Sequence, residues 1–311
     1  MTKHQRQARL NELASQYDLF LTAMDFAMAE LAESVGLQTI IYDALTWYWP
    51  VIPPAVKNAE LYIAQRFFGV AERLEAEAGA FPAYALVPPI VIANKGREKR
   101  HILLNMGGLQ NPFWNSNDAI AYAKLMLEAV SAAMPEGQTL VVATSAAIAA
   151  ALDDPRVVTF SHRSIIEAFR KAQVAIMTSG LGNIYDAASF DVPTLWLPPA
   201  NDSQGQQAEL LEKHGCSDER LDWCELSGPI DYTAPQTAVL QEITAALRSI
   251  TESEALRRKL TAATAQKLQA LGAYTGSKTT HLLRLFGANG ARNICDTIIE
   301  LLERGAHVRT E

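Results

Sequence analysis

The alternation of short β-rich runs with helical patterns constrains the fold of this 311-residue chain more than any other feature. Apolar strands that are separated by helices form parallel βαβ units, and helices cover both faces of the resulting sheet. The sequence therefore predicts an α/β protein. The predicted strands and extended segments are 17–24, 38–44, 84–92, 101–106, 139–144, 157–160, 174–178 and 194–198, and the main predicted helices are 26–36, 57–79, 117–134, 252–271 and 290–305.

Chain length and one polar run predict two domains. The chain is longer than one ordinary domain, and the run NKGREKR (94–100) has no periodicity, so we place the linker there. We expect a partial Rossmann-like domain at 1–95, a second Rossmann-like domain at 96–288 and an amphipathic helix at 289–311.

Composition excludes several classes of protein. A net charge of -7 argues against a non-specific nucleic-acid binder, because such proteins need a basic surface. The apolar runs are too short to span a membrane, and the N-terminus has no apolar secretory core. Three cysteines, Cys216, Cys224 and Cys295, show no metal-binding spacing. We expect a cytoplasmic protein with reduced thiols, no membrane span, no nucleic-acid partner and no metal.

Two predicted strands are followed by glycine-bearing turns, one at Gly107 and Gly108 and the other at SGLG (179–182). In a doubly wound sheet, ligands bind beyond the carboxyl ends of the strands. A helix that begins there presents unpaired amides and positive partial charge, and glycine lets an anion approach the backbone closely. The two turns therefore indicate a phosphate site, although ordinary βα turns also contain glycine.

Polar side chains follow the second glycine turn. Asp186 and Asn183 share a helical face with Ser179 at the ligand end, and a carboxylate there can accept hydrogen bonds from both hydroxyls of a ribose. The alternative is a solvated surface aspartate. The loop after the next strand carries Asn201, Asp202 and Gln204, which suit sugar hydroxyls, although loops are also simply polar.

The run from Ser179 to Gly215 resembles the donor-binding half of GT-B glycosyltransferases, which include UDP-glucosyltransferases and the peptidoglycan N-acetylglucosaminyltransferase. The resemblance implies a UDP-sugar as co-substrate and no other cofactor. The residues that it assigns to the diphosphate are Ser179, Gly180 and Leu181; Asp186 is assigned to the ribose, and Asp202 with Gln204 to the sugar. It also implies a base site around Phe160, Ser161 and His162, and it matches Gly107 and Gly108 to the first loop of the domain.

A narrower resemblance rests on three short runs, DALTWYWP (43–50), NMGGLQNP (105–112) and LPPANDSQ (197–204). These are similar to cytosylglucuronate synthases. Those enzymes join glucuronate from UDP-glucuronate to a cytosine nitrogen, so this resemblance implies glucuronate as one candidate sugar and says less about the small acceptor.

The chain departs from the GT-B pattern in its first domain. Residues 1–95 contain about half of the strands that a complete Rossmann-like domain requires, so the resemblance implies that the first βα units are missing. Three explanations stay open: a start codon that is assigned too late, a partner chain that supplies the rest, or loss of activity.

Asp25 follows the first predicted strand, and the resemblance matches it to the aspartate that orients the catalytic histidine in plant-type enzymes, although the segment that would carry that histidine is among the missing units. Asp25 is either the base that activates the acceptor or the N-cap of helix 26–36, and capping is the more common role. Trp47, Tyr48 and Trp49 either stack on a planar acceptor or pack a domain interface.

These features predict an inverting, metal-independent hexosyltransferase in which backbone amides at both glycine turns stabilise the departing diphosphate. A rival hypothesis is a UDP-sugar-binding subunit that needs a partner chain for catalysis, docked on the exposed edge of the incomplete sheet. A third is a UDP-sugar 2-epimerase on the same fold.

Overall fold

The computed structural model describes residues 2–81, 83–93, 97–109 and 114–308. It divides the chain into two compact units. The first unit contains Met1–Ile92 and Phe286–Glu311, and the second contains Ala93–Leu285. Residues 94–96 of the predicted linker lie outside the described residues, and the C-terminal segment groups with the first unit.

The first unit is built on a four-stranded parallel sheet in the order β1-β2-β3-β4. Its elements before the linker are α1 (Lys3–Ala14), β1 (Leu19–Ala23), α2 (Phe26–Glu33), β2 (Gln38–Asp43), α3 (Ala55–Asn58), β3 (Leu61–Gln65), α4 (Val70–Ala76) and β4 (Tyr84–Val87). Ile40, Ile63 and Val87 form the centre of one apolar cluster of this unit.

The helix predicted at 57–79 is wrong over its first half. Residues 61–65 form strand β3, which separates the end of the short helix α3 at Asn58 from helix α4 at residues 70–76. Every residue of β3 is buried, because the strand pairs with β2 on one side and with β4 on the other. A strand that is buried on both faces gives a continuous apolar run, and such a run has no period that distinguishes it from a buried helix.

The second unit contains a six-stranded parallel sheet in the order β10-β9-β8-β5-β6-β7. Two parallel sheets flanked by helices confirm the predicted α/β class. The elements are β5 (His101–Asn105), α5 (Ser116–Ala133), β6 (Leu140–Ala143), α6 (Ala146–Leu152), β7 (Val157–Val158), α7 (His162–Lys171), β8 (Ala172–Met177), α8 (Leu181–Phe190), β9 (Thr194–Trp196), α9 (Asp202–Lys213), β10 (Glu219–Arg220), α10 (Trp223–Leu226), α11 (Gln236–Glu252), α12 (Glu254–Leu271) and α13 (His281–Phe286).

The strand order of the second unit reverses at β5. The chain moves outward from β5 to β6 and β7, and α7 then carries it across the sheet to β8 on the other side of β5. The carboxyl ends of β5 and β8 therefore form a topological switch point, which is where ligands bind in open α/β sheets. Gly107 and Gly108 follow β5 after one residue, Met106, and the SGLG turn follows β8 after Thr178.

The chain ends in helix α14 (Gly290–Val308), which packs against β4 of the first unit. Ile294 is buried in the same cluster as Ile40 and Val87, with Ile298 and Leu301 packed beside it. The described residues include no helix that is both long and apolar enough to cross a lipid bilayer.

Candidate functional site

A cavity of about 530 Å³ opens at the switch point of the second unit. This volume is within the range of small-molecule sites. The loops after β5, β6 and β7 line it together with the start of α8 and one side chain of α9. Four separate βα connections therefore converge on one space, as a doubly wound sheet requires.

Helix α8 begins at this cavity without a side-chain cap. Gly180 is its N-cap and has no side chain that can accept from the first-turn amides. Leu181, Gly182 and Asn183 line the cavity, and their N–H groups have no partner within the helix because they belong to its first turn. Together with the helix dipole, these donors form a site for an anion.

Gly180 and Gly182 are not required by the fold. Gly180 has an ordinary φ of -67°. A Cβ at Gly182 would meet no atom within 4 Å, and a Cβ at Gly180 would meet only Gln204 Nε2 at 4.0 Å. Both absent side chains would point into space that is open, so the two glycines keep the cavity free in front of the helix amides.

Asp186 lies one turn further along α8 and lines the same cavity. No described residue donates a hydrogen bond to its carboxylate. Burial raises the pKa of Asp186 to about 6, and the nearby His162 acts weakly in the opposite direction. An ionised carboxylate has room for about four hydrogen bonds, so Asp186 is an unused acceptor at the ligand end of the sheet.

Gln204 supplies a fixed donor. The residue is 5% exposed, and its Oε1 accepts from the amide of Ala200 at 2.9 Å. This bond directs Nε2 toward Gly180, where no described residue accepts from it. The amide nitrogen is therefore available to a ligand that lies in front of α8.

Four other predicted donor-site residues do not line the cavity. Ser179 is buried, and its hydroxyl donates to the Gln204 carbonyl at 2.8 Å. Asn201 caps α9 by accepting from the Gln204 amide at 2.9 Å. Asp202 is 3% exposed and accepts from Gln236 Nε2 at 3.3 Å. His162 is exposed at the start of α7 and acts on Asp186 through its charge.

The predicted residues that the structure brings to the cavity are Gly107, Gly108, Gly180, Leu181, Asn183, Asp186 and Gln204. Asp25 belongs to the first unit, where Oδ1 accepts from the Met28 amide at 3.0 Å and caps α2. Capping was the second of the two roles that the sequence left open for it.

Three residues that support the site were not identified from the sequence. The buried hydroxyl of Tyr122 donates to the Pro198 carbonyl at 2.6 Å, and the buried indole of Trp223 donates to the Pro199 carbonyl at 2.7 Å. These bonds fix the loop that leads to Gln204. The third is Asn105, at the end of β5, which links both glycine turns. Only Asn105 carries a local signal, since it stands two residues before Gly107.

The aromatic loop of the first unit is tied down by a buried carboxylate. Asp43 accepts from Tyr62 Oη at 2.6 Å, from Trp49 Nε1 at 2.7 Å and from the Leu45 amide at 2.6 Å. Arg73 donates to the Trp49 carbonyl. Trp49 is therefore part of the internal structure of this unit, and its ring packs edge-on against Phe26 at 5.4 Å between centroids.

A larger cavity of about 790 Å³ lies along β10, but its charges are of the wrong sign for a phosphate. Its six acidic residues, Glu209, Glu212, Asp218, Glu219, Asp222 and Glu225, outnumber Arg220, Lys267 and Lys278. Arg220 pairs with Glu212 and Asp222, and Lys267 pairs with Glu225. In the described ranges there is no cluster of three or more His, Cys, Asp or Glu side chains that could hold a metal ion.

No protein-family model matches this chain, and no curated protein matches it significantly. Solved structures that are similar to it include a UDP-glucosyltransferase from Polygonum tinctorium, with 12% identity over 90% of this chain and 78% of that chain, at a TM-score of 0.46. The spinosyn rhamnosyltransferase SpnG is 16% identical over 87% of this chain and 80% of that chain, at a TM-score of 0.45. The calicheamicin glycosyltransferase is 14% identical over 98% of this chain and 82% of that chain, also at a TM-score of 0.45. Likeness this weak assigns neither a family nor an activity.

Proposed function

We propose that this chain is a GT-B glycosyltransferase that moves a hexose from a UDP-sugar to a small acceptor. One observation carries the proposal: an uncapped helix N-terminus, an unpartnered carboxylate and an unpartnered amide meet in a single cavity at the switch point of a parallel sheet. Each of these three groups matches one part of a nucleotide sugar.

The proposed donor lies with its diphosphate in front of α8, where the amides of Leu181 and Gly182 bind the phosphate oxygens. Its ribose reaches Asp186, whose carboxylate accepts from both hydroxyls. The base lies toward Phe160, and the sugar lies at Gln204. This assignment uses the α8 amides, Asp186, Phe160 and Gln204, all of which line the cavity, and leaves Ser179, Asn201 and Asp202 as supports for the loop.

The proposed reaction is an inverting displacement. The acceptor attacks the anomeric carbon from the face opposite UDP, the bond to the β-phosphate oxygen breaks, and the leaving diphosphate takes the electron pair. Fixed amides at Gly108 and at the start of α8 stabilise the charge that develops on the leaving group, without a metal in that role. Loss of one such donor typically costs about 3–4 kcal/mol in the transition state.

Asp25 is the proposed base for the acceptor. It is exposed, and only its Oδ1 is used in capping α2, so Oδ2 has no described partner. The preceding residue, Met24, has a φ of 57°, a conformation that costs a non-glycine residue about 1–2 kcal/mol. Such strain at the carboxyl end of a strand supports a functional role for this position.

Thermal unfolding of the chain with UDP, UDP-glucose, UDP-glucuronate and UDP-N-acetylglucosamine tests the donor assignment. A ligand at about 100 times its dissociation constant adds about 2.7 kcal/mol of stability, which shifts the melting temperature by several degrees. We expect a shift with UDP and a larger shift with one UDP-sugar. UDP-glucuronate is in the panel because of the narrower resemblance to cytosylglucuronate synthases. Equal melting temperatures with and without every ligand would contradict the proposal.

The second candidate function is a UDP-sugar-binding subunit that depends on a partner chain. The use of Asp25 as a helix cap favours it, because a capping carboxylate needs no catalytic role. The two candidates differ in turnover. Slow release of free sugar from the UDP-sugar that gives the largest thermal shift supports the transferase, whereas tight binding without any turnover supports the subunit.

A further inference from the structure

Two asparagine amides connect the two glycine turns of the switch-point cavity. The Gly107 N–H donates to Asn105 Oδ1 at 3.0 Å, and Asn105 Nδ2 donates to Asn183 Oδ1 at 3.0 Å. Asn183 Nδ2 in turn donates to the Thr178 carbonyl at 3.0 Å. We call this chain of three hydrogen bonds the amide relay.

The relay has only one possible direction. A backbone N–H can only donate and a backbone carbonyl can only accept, so Gly107 at one end and Thr178 at the other fix the orientation of both side-chain amides. Asn105 is 5% exposed and lines the cavity. A buried amide that is satisfied on both sides holds its neighbours in one geometry.

The relay decides which amides remain for a ligand. The Gly107 N–H is occupied by Asn105, whereas the described residues offer no partner to the Gly108 N–H or to the first-turn amides of α8. Gly108 has a φ of 79°, a left-handed backbone conformation that favours glycine. Of the two glycines after β5, only Gly108 therefore presents a free donor.

We propose, on the basis of the function proposed above, that Asn105 is a positioning residue that sets the amides of both glycine turns around the diphosphate. Asn105 acts through Gly107 on the loop after β5 and through Asn183 on the first turn of α8. It contacts neither the base nor the ribose in this assignment. Its removal should weaken ligands that carry phosphates and spare ligands that lack them.

The test is the affinity of Asn105→Ala for UDP and for uridine, measured by calorimetric titration. We expect UDP affinity to fall by about 10- to 100-fold, the usual effect of losing hydrogen bonds to a charged group, while uridine affinity changes by less than about threefold. Asn117→Ala is the matched control, because Asn117 is exposed on α5 and should leave both affinities unchanged. Asn183→Ala should behave as Asn105→Ala does, and the double variant should lose little more than either single variant.

Gly107→Ala perturbs the same relay if Asn105→Ala fails to fold. A Cβ at Gly107 would lie 3.1 Å from Asn105 Oδ1 and would displace that oxygen by a few tenths of an ångström. It should also weaken UDP more than uridine. Equal losses of UDP and uridine affinity in these variants would overturn the positioning role and leave the proposed function standing. A wild-type chain that binds neither ligand would overturn both.

Discussion

Two carboxylates near the carboxyl ends of the two parallel sheets have opposite surroundings, one of them buried and the other half-buried. Asp43, at the end of β2, receives hydrogen bonds from Tyr62, Trp49 and the Leu45 amide. Asp186, in the second turn of α8, receives none from the described residues, although it is half-buried. Burial raises the pKa of both side chains.

We propose that the difference separates a structural carboxylate, Asp43, from a ligand-binding carboxylate, Asp186. Buried polar groups in folded proteins almost always have partners, and each missing partner costs free energy. The oxygens of Asp43 accept hydrogen bonds from within the first unit, and these bonds hold the aromatic loop in place. Asp186 keeps its oxygens unused beside free amides and an open space. A ligand that bears hydroxyls and phosphates would satisfy those groups.

Asp43→Ala should give the largest effect on stability. It leaves the hydroxyl of Tyr62, the indole of Trp49 and one backbone amide without an acceptor, at about 1–3 kcal/mol for each group. We expect the free energy of unfolding to fall by about 3–5 kcal/mol, measured by urea denaturation at constant m-value. UDP binding by the folded fraction should be unchanged. A variant as stable as the wild type would mean that the Asp43 network is not structural.

Asp186→Asn should weaken UDP binding and leave the stability of the protein intact, the reverse of Asp43→Ala. It replaces the proposed acceptor for the ribose diol, and we expect UDP affinity to fall by about 100-fold, from the loss of two hydrogen bonds to a charged group. Folding raises the pKa of Asp186 from 3.8 to about 6, so its ionised form destabilises the folded protein above that range. The melting temperature of Asp186→Asn at pH 7 should therefore equal or exceed that of the wild type. The matched control is Asp153→Asn, on an exposed residue of the same unit with a φ of 46° that asparagine tolerates.

Gly182→Ala tests whether the open space in front of α8 is the place where the phosphates bind, because it puts a methyl group there. The new Cβ meets no protein atom, and alanine is a better helix former than glycine by about 0.5–1 kcal/mol. We expect a small gain in stability together with a loss of UDP affinity of about 10- to 50-fold, because the methyl group projects in front of the α8 amides. Gly79→Ala, which also meets open space, is the control in the first unit. Unchanged UDP affinity would show that the space in front of α8 is not where the phosphates bind.

The pH dependence of UDP affinity should be the smallest of these effects. Ligand hydroxyls bind the ionised form of Asp186, whose pKa is about 6, so affinity should rise as pH increases from 5 to 7, by about tenfold if only the ionised form binds. The phosphate of UDP titrates in the same range, and Asp186→Asn corrects for that contribution. The pH profile of the variant should lack the Asp186 component. Superimposable profiles of the two proteins would contradict the role of this carboxylate.

Local sequence pattern was sufficient for the class of fold and for the place of both glycine turns and Asp186 at one cavity, whereas their roles in binding stay predictions. All of these depend on residues close in the chain, where strand, turn and helix follow in order. The pattern failed at β3, because a fully buried strand has no amphipathic period. It also assigned Asn201 and Asp202 to the ligand. The structure places Asn201 as the N-cap of α9 and neither residue at the cavity, and their part in binding stays a prediction.

The supports of the site could not be predicted from local pattern. Tyr122 reaches Pro198 across 76 positions, and Asn105 reaches Asn183 across 78. These contacts exist only after β5 and β8 have become neighbours in the sheet. Short runs of sequence therefore predict several of the residues that line the cavity, whereas the contacts that fix them require the tertiary structure.

A crystal structure of the chain with UDP tests the central claim most directly. We predict that the diphosphate lies on the amides of Gly108, Leu181 and Gly182 and that the ribose hydroxyls donate to Asp186. UDP bound elsewhere, such as in the acidic cavity along β10, or a switch-point cavity without nucleotide at saturating UDP, would contradict it.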